Sequence, residues 1–202
     1  MTHATALQLL ERHGVVTREA VRGEGTPGGF AGVYPVLRAL EESGRVRRGW
    51  FVAGLGAAQF ALPGAVDRLR AHRHPPADEP GRIVVLAATD PAQPYGAALS
   101  WPEHVGASRP TRAAGAHVVL VDGACIAYIE RGGRTLLTFT AISTADDPDA
   151  WVNALVEAHK EGRIGRLQLE RIDDQPARTS PHAPRLRAAG FADGYKGLTL
   201  HK

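Results

Sequence analysis

The stretch 21–52 restricts what this chain can fold into more than any other. It reads Val-Arg-Gly-Glu-Gly-Thr-Pro-Gly-Gly-Phe-Ala-Gly-Val-Tyr-Pro-Val-Leu-Arg-Ala-Leu-Glu-Glu-Ser-Gly-Arg-Val-Arg-Arg-Gly-Trp-Phe-Val. A glycine-rich loop at 23–29 leads into Phe30, Val33, Leu37 and Leu40, whose spacing of three and four predicts an amphipathic helix over 30–43. Pro35 has no N–H and fits a first turn, so the helix is expected to begin as late as Val33. Gly44 is placed to end it. Residues 45–52 then read as a strand, Gly54-Leu55-Gly56 as a turn, and 58–61 as the returning strand. A helix followed by a basic hairpin is the order of a winged helix, in which a recognition helix precedes a β-wing whose cations meet phosphate.

The flanking residues complete such a module. Thr2 is a cap for a first helix carrying Ala6, Leu9, Leu10 and His13, with Gly14 as its stop. Thr17 is the cap of a short second helix through Glu19, Ala20 and Val21. Pro63 opens one more helix, with Val66 and Leu69 expected to point inward. Residues 72–81, His-Arg-His-Pro-Pro-Ala-Asp-Glu-Pro-Gly, have the composition of a linker. The expected organisation is a winged-helix module at 1–74, a linker at 75–81 and a second module at 82–202.

The second module reads as α+β and β-rich, with short helices. The apolar run 82–88 is a buried strand, and 90–110, with four prolines and Trp101, is loop-like. Residues 116–121 and 124–130 form a hairpin around Asp122-Gly123, a strong type I′ signal. Arg131-Gly-Gly-Arg134 turns the chain into 135–140. Three strands joined by tight turns suggest a meander or a small barrel. A helix over 150–161 with Trp151, Leu155 and Val156 on one face follows Asp146, Asp147 and Asp149, which complement its dipole. A strand over 166–172, a helix over 181–189 and a closing strand over 197–200 complete the chain.

Charge is distributed unevenly. The chain carries a formal +3, yet residues 1–75 hold ten arginines against six acids, while 76–202 hold fourteen cations against fifteen acids. A basic excess is the footprint of a phosphate partner. Only three of the 24 cations are lysine, and that preference is equally explained by coding bias in a GC-rich genome. Arg45, Arg47 and Arg48, with Arg38 on the preceding helix and Arg22 before the loop, are the candidate DNA contacts. Alternation puts Arg45 and Arg47 on one strand face and Arg48 on the other. Trp50 has two readings, stacking on a base or filling the core.

Other chemistry is sparse. The glycine loop can approach a phosphate or merely connect two helices. It is no P-loop: Gly-Lys-Ser/Thr is missing, and no lysine precedes Lys160. No cofactor is expected in this chain. Cys125, a lone cysteine, permits no intrachain disulfide or cysteine-based zinc site and reads as a buried inert thiol. His72 and His74 lack a metal-binding pattern, and no metal is expected. Asp173 and Asp174 follow a strand, as catalytic acids or as turn residues. Ser180 and His182 have no acid at a telling spacing. No apolar run reaches the ~20 residues of a membrane helix. The N-terminus lacks a signal-peptide pattern, so the cytoplasm is the expected compartment.

The runs 14–21, 28–42 and 49–70 resemble the C-terminal region of the large bacterial Lhr ("large helicase-related") proteins. The tail, Leu169-Glu-Arg-Ile-Asp173, Leu186-Arg-Ala-Ala-Gly-Phe191 and Gly197-Leu-Thr-Leu200, is similar to their extreme C-terminus. The resemblance implies a parent ATP-dependent superfamily 2 DNA helicase, of DEAD/DEAH-box type, using ATP and Mg in domains upstream of this region. It implies winged-helix modules followed by a barrel-like module, with single-stranded DNA or repair intermediates as partners. It also implies homo-oligomerisation, for which the aromatics of 82–140 are the candidates. The region is similar to winged-helix DNA glycosylases, which implies uracil or damaged-base excision, with Asp173, Asp174 or Asp193 activating water. The only echo of the tripeptide motif of those enzymes is Gln168-Leu-Glu170.

Overall fold

Ala6, Leu9 and Leu10 recur on one side of α1 (His3–His13) and are buried. Gly14, at φ +68°, donates to the Leu10 carbonyl at 2.8 Å and ends the helix. The computed structural model describes residues 3–56, 58–72, 82–139 and 149–201. Thr2 and the expected linker at 75–81 lie outside them. The chain divides into two units, 1–79 with 96–100 and 80–95 with 101–202.

In the first unit β1 (Val15–Val16) is followed by Thr17, whose hydroxyl accepts from the Ala20 N–H at 3.1 Å and caps α2 (Arg18–Gly23). The next helix, α3, spans Gly29–Glu42 and runs through Pro35 rather than starting beside it. Pro35 and Ala31 are both exposed, so the break that Pro35 makes in the helix ladder lies on the outer side of the helix. The C-terminus of α3 is a Schellman motif. Gly44, at φ +72°, donates to the Glu41 carbonyl at 2.9 Å, and Arg45 donates to the Leu40 carbonyl at 2.9 Å.

This turn delivers the chain to β2 (Arg47–Gly49), which pairs antiparallel with β3 (Gln59–Ala61); β3 also pairs with β1. The strand expected over 45–52 is therefore only three residues long. Arg45 and Val46 belong to the helix exit, and the backbone of Phe51 and Val52 bonds to a side chain instead of a ladder partner. Val16, Val21, Val33, Leu37, Leu40, Val46 and Phe60 join the α1 residues in one core. Pro63 opens α4 (Pro63–Ala71) as expected, but Ala65 is its buried residue and Leu69 is exposed. The apolar pattern of α4 is too short to fix which side meets the core.

The second unit is built on an open six-stranded sheet. Its strands in chain order are β4 (Ile83–Ala87), β5 (His117–Val121), β6 (Ala124–Ile129), β7 (Thr135–Thr138), β9 (Arg171–Ile172) and β10 (Gln175–Pro176). Asp122 and Gly123 turn β5 into β6 with φ of 49° and 84°, the type I′ geometry read from the sequence. A bulge opposite Val119 and Leu120 directs Ile126 and Ala127 to the same side of the sheet. One face, with Val85, Val119, Ile129 and Leu136, packs under α5 (Ala150–Lys160), which buries Trp151, Val152, Leu155 and Val156. The other, with Val118, Leu120, Tyr128 and Leu137, is covered by the loop after β4 through Tyr95 and Trp101.

The sheet does not close into a barrel. Both of its faces are already covered, so closure is not needed to bury them, and its edges, β4 and β10, remain apart in the strand order. The single strand expected over 166–172 is two strands. β8 (Leu167–Leu169) joins a separate sheet with β11 (Phe191–Asp193) and β12 (Leu198–Leu200), whereas β9 pairs parallel with β7. The switch occurs at Glu170, where the Glu170 and Arg171 N–H groups both donate to the Arg134 carbonyl. The helix expected over 181–189 is α6 (Ala183–Ala188), preceded by a 3-10 turn at Ala177–Thr179. Of the aromatics of 82–140, Tyr128 and Phe139 are buried and Tyr95 and Trp101 partly buried, with Trp101 edge-on to Tyr128 at 5.5 Å. No described helix is long and apolar enough to cross a membrane.

Candidate nucleic-acid interface

The β2–β3 hairpin is shaped by Gln59, a fully buried polar residue at its base. Its Oε1 accepts from the N–H groups of Phe51 and Val52, both at 2.9 Å. Its Nε2 donates to the carbonyls of Val52 at 2.9 Å and Gly56 at 3.1 Å. One amide thus satisfies backbone groups on both sides of the loop and holds it in a single shape. Sequence reading missed this residue, because a lone polar residue in a strand carries no sign of its partners.

With the loop so fixed, Trp50 stands 75% exposed, which rejects the core reading of this side chain. Arg45 and Arg47, close to it in the chain, are exposed, and their guanidinium groups have no ion-pair or hydrogen-bond partner among the described residues. Arg48 is exposed as well, so strand alternation separates no buried from exposed arginine here. Its Nε lies 3.2 Å from Glu41, and its Nη1 donates to the Tyr34 hydroxyl at 3.4 Å. Arg38 forms an exposed i, i+4 pair with Glu42 at 2.9 Å. Arg22 is not on the hairpin. It lies on α2 and lines a groove against the start of α3. The helix exit and the hairpin together therefore offer two uncompensated guanidinium groups and an exposed indole, a set that fits phosphate oxygens and a base face.

The acids are placed differently. Asp173 and Asp174 are the two central residues of the β9–β10 turn, with φ of 48° and 63°. Asp173 accepts from the N–H and hydroxyl of Thr138, both at 2.7 Å. Its Oδ2 lies 3.9 Å from Nε2 of His182, an acid–histidine pair that the sequence spacing did not reveal. Burial pushes the His182 imidazole below its ordinary value, and Arg185 adds to this against the pull of Asp173. Ser180 accepts from the His182 backbone N–H at 3.2 Å. Asp174 accepts from the Ser108 hydroxyl and from the N–H groups of Ser108 and Ala107, and these bonds hold its carboxyl below the usual range. Asp193 is away from this turn, in a bidentate pair with Arg187 at 2.9 and 3.0 Å that lowers it likewise.

Gln168 sits on β8 opposite Thr199, and Glu170 lies 3.7 Å from Arg134. Cys125 is buried, and burial pushes its thiol up to about 12, as an inert thiol requires. Among the described residues no group of His, Cys, Asp and Glu is arranged to hold a metal ion. His74, Asp146 and Asp147 lie outside the described residues. Asp149 occupies the N-cap position of α5 without a side-chain capping bond.

The element order of the first unit, α1-β1-α2-α3-β2-β3 with β3 central, defines a winged-helix protein. Residues 1–81 match the family model described as large helicase-related protein, winged-helix domain. The chain is 47% identical over 207 residues to "Lhr helicase/ probable uracil glycosylase" of Mycolicibacterium smegmatis, covering 98% of this chain and 14% of that protein. It is 37% identical over 204 residues to "Lhr helicase/uracil glycosylase" of Escherichia coli, covering 96% of this chain and 13% of that protein. The chain belongs to the Lhr family and corresponds to a C-terminal region of an Lhr-type helicase.

Proposed function

We propose that this region is a DNA-binding module of an Lhr-type helicase acting in DNA repair. The observation that carries the reading is the run 45–50, in which Trp50 is exposed and the guanidinium groups of Arg45 and Arg47 have no partner among the described residues. Phosphates engage the guanidinium groups, and an unpaired base stacks on the indole, which favours single-stranded DNA or repair intermediates over plain duplex. The chain spans about a seventh of the length of the relatives it matches. ATP and Mg act, in this reading, on motor domains of a longer polypeptide, since no residues here fit a Gly-Lys-Ser/Thr phosphate loop. Charge reversal at Arg45, Arg47 and Arg48 together is expected to abolish DNA retention at low salt. Unchanged retention by that variant sinks the reading.

A second reading is base excision, which both relatives carry in their names. Asp173 is the acid to test, because of the three candidates it is the one with a histidine beside it, His182 at 3.9 Å. Its carboxylate would take a proton from water as the oxygen attacks the anomeric carbon of a flipped nucleotide and the base departs with the electrons of the broken glycosidic bond. Abasic sites on uracil-containing strands, formed by the native chain and lost in a folded Asp173→Asn variant, are the expected result. Cleavage unaltered by that change removes Asp173 from the role.

A further inference from the structure

Between α2 and the first half of α3 lies an open groove of about 870 Å³, within the winged-helix unit. Phe30 and Tyr34 form one side, Arg18 and Arg22 the rim, and Ala31 and Ala58 leave it unfilled. The rings are ordered as a series: Phe30 and Tyr34 have centroids 5.9 Å apart, and Tyr34 stands edge-on to buried Phe60 at the same distance. Phe60 thus ties the aromatic side to the core. The Arg18 guanidinium lies 5.9 Å from the Phe30 centroid. Arg22 is exposed, and its guanidinium has no partner among the described residues. No carboxylate is among the lining residues, so the two guanidinium groups make the groove cationic. At its far end the Tyr34 hydroxyl accepts from Arg48, the hairpin residue.

We propose that this groove takes one unpaired nucleotide of a DNA strand, its base against Phe30 and Tyr34 and its phosphate on Arg18 and Arg22. The reasons are chemical. Two aromatic rings, tilted 49° to one another, beside two cations select a planar ring that carries an anion, and every base has a face for stacking whatever its sequence. The volume lies in the ~300–1,000 Å³ range of small-molecule sites, ample for a nucleotide. A base within a duplex is stacked between its neighbours and does not reach such a groove, so the site distinguishes unpaired from paired DNA. The proposal deepens the DNA-binding reading and adds a contact that the hairpin does not make.

Arg22→Ala removes a rim cation, and Ala31→Trp fills the groove from an exposed helix position. Both variants are checked for native thermal unfolding. The probes are a thymidine oligonucleotide carrying one 2-aminopurine, and a fully paired duplex of the same length, followed by fluorescence anisotropy. Each variant is expected to weaken the single strand about tenfold while leaving the duplex within about twofold. The native chain is expected to quench the 2-aminopurine, and the Ala31→Trp variant to quench it less. Unchanged single-strand affinity, or equal losses on both DNA forms, overturns the proposal. Deoxyadenosine monophosphate provides a separate readout: its titration should shift the Phe30 and Tyr34 ring resonances of the native chain, and their failure to move also overturns the proposal. Loss of the hairpin's role shows instead as undiminished binding by the charge-reversed Arg45, Arg47 and Arg48 variant, and leaves this titration unaffected.

Discussion

Arg48 of β2 lies 3.2 Å from Glu41 of α3. The contact joins the hairpin to the helix and compensates the arginine's charge, whereas neighbouring Arg47 has no such partner among the described residues. Three arginines that look equivalent in sequence therefore differ in what they can give to a phosphate.

Arg47→Ala is expected to lower DNA affinity more than Arg48→Ala. Removing an unpaired phosphate contact reduces the slope of log affinity against log salt by about 1, and removing a compensated one by less. Because the Arg48–Glu41 pair is partly exposed, its loss costs at most ~1 kcal/mol of stability. Salt titrations of the two variants check the order. A larger slope change for Arg48→Ala contradicts it.

Gln59→Leu is expected to lower stability by ~2–4 kcal/mol, because backbone groups of the hairpin loop lose buried partners. DNA binding should fall too, although Gln59 is fully buried. Thermal unfolding and amide exchange at Phe51 and Val52 measure both parts. Amides that stay protected in the variant would show that the loop holds its shape without the glutamine.

Two glycines of one turn separate backbone strain from steric overlap. A Cβ on Gly133, at φ +68°, would meet the Arg166 carbonyl oxygen at 2.1 Å, whereas one on Gly132, at φ +91°, meets nothing within 4 Å. Gly132→Ala is expected to cost ~1–2 kcal/mol from conformation alone. Gly133→Ala should cost several kcal/mol, because the backbones of the turn and of the approach to β8 must separate. Denaturant unfolding of the two variants, with equal losses as the contrary result, decides it.

Acidification through the histidine range should destabilise the second unit. Burial lowers both His117 and His182, so each is bound by a proton more readily in the unfolded chain. Their contribution is fully present above the ordinary histidine value of ~6.5 and is lost as pH falls through the depressed folded values. A melting temperature that drops below pH ~6.5, with a smaller drop in a His182→Gln variant, is the expected outcome. Identical pH profiles for the native and variant chains would assign the loss elsewhere.

Much of the local structure was legible. The α3 stripe, the Thr17 cap, the Gly44 stop and the Asp122-Gly123 turn all depend on residues within a few positions of one another. The site was legible only in part. Arg45, Arg47 and Arg48 stood out by charge, but their division into braced and free members rests on Glu41, seven positions before Arg48 on another element. Gln59 gave no signal, and neither did the approach of His182 to Asp173, whose nine-residue separation corresponds to no regular period.

By itself, the sequence determined the helix stripes, the caps and turns, and the gathering of arginines near one hairpin, since those follow from spacing and local backbone chemistry. Only the tertiary structure decided that Trp50 faces solvent, that Leu69 does too, that the run 166–172 divides between two sheets, and that the larger sheet stays open. Burial and strand pairing are settled by residues far apart in the chain, and a side chain's exposure depends on which distant surface meets it.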